Sequence, residues 1–133
     1  DYADKIDGML ILAGLADPVL EGRLWIQKPL RHWSLRWLLP PDMDVSNREI
    51  VPLKQELFDQ EEMWEMIRAH TLIIQGDKDI LVHKGHADYA EKMLVNAASV
   101  KVIRMPQENH FIPWTQSQLV KESIFELYEL IRN

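Results

Sequence analysis

Two strand, loop, helix signals in succession, between Thr71 and Trp114, constrain the fold of this chain more than any other feature. Thr71–Gln75 (TLIIQ) is a short apolar run without polar alternation, the pattern of a strand whose sheet is covered by helices on both faces. Gly76 ends the run, the loop GDKD follows, and Lys84–Leu94 then spaces Ala87, Ala90, Met93 and Leu94 at helical intervals. Val100–Met105 reads as a second strand. Its apolar Val100, Val102, Ile103 and Met105 are interrupted by Lys101 and Arg104, which suits a place near a sheet edge, and Pro106 closes it. Parallel pairing through a right-handed crossover sends both following loops to the carboxyl end of the sheet, where ligands bind in open α/β folds. Asp79 in the first loop and His110 in the second are therefore expected to meet there.

The rest of the chain adds one strand and many helical signals. Met9–Ala13 is another short apolar run, and Gly14–Pro18 (GLADP) is rich in turn formers. Leu20–Ala69 carries no strand signal and breaks at Pro29 and at Pro40–Pro41. Between those breaks Leu30, Trp33, Trp37 and Leu38 fall at helical spacing. Ser46 with Glu49 makes a capping-box pattern, and Glu49–Leu57 and Glu61–Ala69 read as two further helices. Residues 20–69 are thus expected to form a helical insertion between strands. Thr115–Asn133 is an amphipathic helix with a capping-box pattern at Thr115 and Gln118 and an apolar stripe of Val120, Ile124, Leu127, Tyr128 and Ile131. The expected class is α/β, with a three-stranded parallel sheet.

With 133 residues the length favours a single domain. The net charge of −6 and the scattered Lys and Arg argue against nucleic acid, whose phosphates call for a basic patch. Without cysteine the chain has no disulfide, no thiolate metal site and no cysteine nucleophile, while its compartment stays open, the cytoplasm being the default. The longest apolar stretch, Met9–Ala16, falls well short of the ~18 residues a membrane span needs. The opening DYADKID has neither the basic nor the apolar region of a signal peptide, and a start at Asp1 in place of Met suggests a processed or truncated chain.

The run TLIIQGDKD, a helix, and then VKVIRMPQENHF resembles the last third of an α/β-hydrolase, in which a GxxD loop supplies the triad acid and a later histidine the base. The resemblance puts Asp79 at the acid position and His110 at the base position. It also extends to YADKIDGMLILAGLADP, which resembles the segment just after the nucleophile-bearing helix, and it makes residues 20–69 the cap over the active site. Members of the family often have Pro where Ala3 stands and Gly where Asn109 stands. None of Ser34, Ser46, Ser99, Ser117 and Ser123 lies in a GxSxG elbow, so the resemblance places the nucleophile upstream of Asp1 and makes residues 1–133 the carboxy-terminal portion of the hydrolase domain. It implies hydrolysis of an ester or similar acyl bond in a small molecule, with no cofactor, and predicts that this chain alone is inactive.

Other readings compete at several of these residues. Asp77 or Asp79 in a polar turn ordinarily caps the helix that follows. His110 competes with His32, His70, His83 and His86, yet it alone follows a strand at the functional end of the sheet. His83, His86 and Asp88 lack a further ligand for zinc, and Asp77, Asp79 and Asp88 lack the glycine and glutamate of a calcium loop, so no metal is expected. Trp33, Trp37 and Trp114 are candidates to line an apolar substrate pocket, though each also suits a plain core position. Residues 20–69 contain no tyrosine, whereas epoxide hydrolases of this fold place tyrosines in the cap. A non-catalytic hydrolase-like binding module and a self-contained small α/β interaction domain are the alternatives from other classes. The hydrolase reading further expects self-association, because a strand at Met9–Ala13 without its neighbour leaves an unpaired sheet edge.

Overall fold

The computed structural model describes residues 5–20 and 55–132, so Trp33, Trp37 and the Ser46–Glu49 capping pattern lie outside the described residues. The chain divides into two compact units, residues 1–16 with 62–133 and residues 17–61. In the second unit, Asp17 turns the chain by accepting hydrogen bonds at Oδ1 from the amides of Val19 (2.7 Å) and Leu20 (3.4 Å), and residues 55–59 are helical.

The first unit is an α/β fold built on three parallel strands, β1 (Gly8–Leu12), β2 (His70–Gly76) and β3 (Ser99–Met105), in the order β1-β2-β3. The sequence-based boundaries are met to within a residue. β2 is central, and Thr71 through Gly76 are all buried, as an unalternated apolar run requires. Register sorts the side chains onto two faces, since Ile11, Ile73 and Val102 are aligned across the sheet, as are Leu12, Ile74 and Ile103.

On one face Ile73 packs with Ala87, Ala90 and Leu94 of helix α1 (Gly85–Met93) and its C-cap, together with Ala16, Trp64 and Ile67. On the other, Ala13, Ile74 and Ile112 form the core against Leu119 and Val120. Ile112 opens a short helix, α2 (Ile112–Thr115), and Leu119 and Val120 lie on α3 (Ser117–Arg132). α3 runs back along the sheet, so that near its far end Ile131 lies beside Gly8, where an added Cβ would come within 2.7 Å of its side chain.

The two charges inside β3 are answered from opposite faces. Lys101 pairs with Glu126 of α3 at 2.7 Å, while Arg104 pairs with Asp88 of α1 and donates to the Lys84 carbonyl at 2.9 Å. An edge strand can carry such residues because each side chain reaches a helix rim and water.

Three local expectations are corrected. Glu61–Met66 is a 3-10 helix and not part of an α-helix running to Ala69. With three residues per turn it brings Trp64 and Ile67 onto one side, where both pack against the Ile73 cluster, and the Ile67 amide bonds the Trp64 carbonyl at 3.2 Å. The capping box at Thr115 is not made: the Thr115 hydroxyl donates to Glu108 and the Gln118 amide to Glu122, and α3 starts afresh at Ser117. Of the expected stripe on α3, Leu127 is buried, whereas Ile124, Tyr128 and Ile131 are exposed, and Ser123 is the residue turned inward one step from Ile124.

His86 is a structural histidine. It is 1% exposed, and its Nδ1 accepts the Ala16 amide at 3.1 Å, tying α1 to the loop after β1. His86→Ala leaves that buried N–H without this acceptor and opens a void, so a loss of about 2–3 kcal/mol is expected in urea unfolding. A change within experimental error would show that the tie carries no stability.

Candidate active site

The carboxyl ends of β2 and β3 lie side by side, with Gly76 opposite Met105 in the parallel register. Beyond them the two loops are joined through their backbones. The Asp77 amide donates to the Met105 carbonyl and the Lys78 amide to the Glu108 carbonyl, each at 3.0 Å, and the Lys78 side chain bonds that of Gln107. Gly76 makes this approach possible. A Cβ there would sit 2.5 Å from the Glu108 carbonyl oxygen and 2.6 Å from that of Asn109, distances that no side chain tolerates against backbone.

Asp79 and His110 meet across this junction, with Asp79 Oδ2 2.9 Å from His110 Nδ1. The Asp79 side chain has no exposed surface, and that of His110 is 33% exposed. The other carboxylate oxygen, Oδ1, accepts the amides of Leu81 and Val82, both at 2.8 Å. One carboxylate therefore closes its own turn and also holds the imidazole. An ionised carboxylate only accepts, so the proton of the neutral ring belongs on Nδ1 and leaves Nε2 with a lone pair.

Helix capping and contact with the histidine compete as readings of Asp79 in the sequence, and the carboxylate instead closes its own turn with Oδ1 while Oδ2 faces the histidine. It does not cap α1, whose N-cap is Lys84 without a side-chain bond. Asp77 is drawn the other way, its carboxylate lying 3.9 Å from Arg104.

The histidine loop is held from its far side as well. Glu108 accepts from the Thr115 hydroxyl at 2.8 Å and from the Gln116 amide at 2.7 Å, fixing the loop to α2. Asn109 accepts the Phe111 amide on its Oδ1 at 2.9 Å. Among the described residues Ala13 is the one non-glycine with positive φ, so Asn109 has no left-handed backbone. Trp114 is 76% exposed and meets Phe111 edge-on at 6.0 Å between ring centroids, and Phe111 in turn meets His110 at 5.9 Å.

Sequence reasoning missed Gln75, Gly76 and Glu108 as supports of the pair. Gln75 had one visible signal, a polar residue ending an apolar strand. Gly76 shows in the sequence only as a strand terminator. Among the described residues no three His, Cys, Asp or Glu side chains are grouped so as to hold a metal ion, and no helix is long and apolar enough to cross a membrane.

No protein-family model matches the chain, and no curated protein matches it. Among solved structures it is similar to MenH from S. aureus, with a TM-score of 0.48 and 15% sequence identity over 99% of this chain. The match covers 64% of that protein, so the chain spans less than two thirds of its length.

Proposed function

We propose that this chain is the carboxy-terminal part of a serine-type α/β-hydrolase acting on an ester or similar acyl bond. The observation that carries the reading is the 2.9 Å contact between a fully buried carboxylate and a partly exposed imidazole at the carboxyl end of a parallel sheet. That is where catalytic side chains of open α/β sheets gather.

In this scheme a serine from the preceding part of the protein attacks the acyl carbon while His110 Nε2 takes its hydroxyl proton. Asp79 keeps the second ring nitrogen protonated and stabilises the imidazolium as it forms. The same imidazolium then protonates the leaving alcohol, and water, deprotonated in its turn by His110, attacks the acyl-serine and releases the acid as His110 returns that proton to the serine oxygen. The chemistry needs no cofactor. Phe111, whose ring meets His110, and Trp114, whose ring meets Phe111, offer an apolar flank for the acyl or alcohol portion of a small-molecule substrate.

The test is fluorophosphonate labelling of the protein extended upstream to include its nucleophile. One serine is expected to be labelled, at a rate reduced at least about a thousandfold by His110→Ala. Labelling that is unchanged in His110→Ala would overturn the assignment.

A further inference from the structure

Gln75 stands where an apolar residue would be expected. It is the last side chain of an otherwise apolar run in β2, is 0% exposed, and lies beneath the loop that carries Asp79. Its Nε2 donates to the Gly76 carbonyl at 3.1 Å and to Asp79 Oδ2 at 3.4 Å, the same oxygen that faces His110 Nδ1. Both neighbours are acceptors, which sets the amide with nitrogen toward them and oxygen away. That oxygen, Oε1, is buried and has no hydrogen-bond partner among the described residues. Leucine or methionine would fill the site without stranding an acceptor, so the strand's own stability gives no reason for an amide here. The reason lies at the nitrogen end.

We infer that Gln75 is a positioning residue, holding Asp79 Oδ2 toward His110 so that the imidazole keeps its proton on Nδ1. Two backbone amides fix Oδ1 from the loop side, but they leave the carboxylate free to tilt about the axis through them. The Gln75 amide, reaching up from the strand, removes that freedom. Its own orientation is set by the Gly76 carbonyl, so the chain of support ends on rigid backbone. The inference rests on Asp79 and His110 acting as acid and base.

The experiment is nitrogen-15 NMR of the His110 ring in the 133-residue chain and in Gln75→Met, which keeps length and apolar stem but removes the donor. In the unaltered chain the Nδ1–H tautomer is expected to dominate, and in Gln75→Met it should fall to about half or less of the molecules. A merely structural role would lower stability and leave the tautomer alone, so an unchanged ratio in folded Gln75→Met overturns the inference. A second measurement does not depend on that variant folding. In the unaltered chain the Gln75 side-chain amide proton directed at Asp79 should exchange slowly with water and lose that protection when Asp79→Asn is introduced, whereas a pair indifferent to Asp79→Asn also overturns it. Asp79→Asn separates the two levels of the argument: if it leaves the His110 tautomer unchanged, the acid and base reading itself fails. If it shifts the tautomer and Gln75→Met does not, only the role of Gln75 is lost.

Discussion

Asp79→Asn is expected to lower turnover of an ester substrate by a factor on the order of 10⁴ in the protein extended to include its nucleophile, which corresponds to about 5.5 kcal/mol of transition-state stabilisation. Asparagine has nearly the same shape, but it offers one carbonyl oxygen where the carboxylate offers two. With that oxygen on the Leu81 and Val82 amides, the turn survives and an NH₂ group faces His110 Nδ1. Two donors then oppose each other, and the ring relieves this by moving its proton to Nε2, where it no longer acts as a base. With the amide turned over, the imidazole keeps an acceptor and the turn loses its own. Either way one of the two duties of Asp79 fails. Steady-state kinetics on a simple ester checks this, and a loss smaller than tenfold would mean that the carboxylate is not the partner of the catalytic base.

Gly76→Ala should be the most damaging of the small substitutions outside the pair itself. The added methyl would meet three backbone atoms of the histidine loop, the Glu108 carbonyl carbon at 2.8 Å and the carbonyl oxygens of Glu108 and Asn109 nearer still. Backbone cannot rotate aside as a side-chain tip can, so the loop as a whole must lift. Lifting it strains the bond from the Lys78 amide to Glu108 and draws His110 from Asp79. A loss of about 3 kcal/mol in urea unfolding is expected, accompanied by loss of the Nδ1–H tautomer of His110. Wild-type stability with the tautomer retained would show that the two loops do not depend on this close approach.

Much of this arrangement is legible in the amino-acid order. The strands are readable because β2 is buried on both faces and so leaves an uninterrupted apolar run, and β3 because its two charges mark it as reachable from the rims. Asp79 and His110 are readable because parallel strands deliver their following loops to one end. What could not be read was decided by tertiary approach. Thr115 has the residue type and spacing of a helix cap, yet its hydroxyl goes to Glu108, which only the folded loop brings within reach. The apolar stripe of α3 was placed partly on the wrong line because Ile124 and Tyr128 match the helical period as well as Leu127 does, and only the sheet decides which side is covered. Gly76 gives no sign in the sequence that it is the floor on which another loop rests. Trp33 and Trp37 lie outside the described residues.

The direct bonding of one loop's amides to the other segment's carbonyls couples the two loops mechanically. The loops of Asp79 and His110 are bonded to each other through backbone, and Glu108 ties the second loop to Thr115 and Gln116, so the spacing of the pair is held by residues 76–116 together. Whatever displaces one of these loops is therefore transmitted to the other, and the distance between carboxylate and imidazole changes only when both give way.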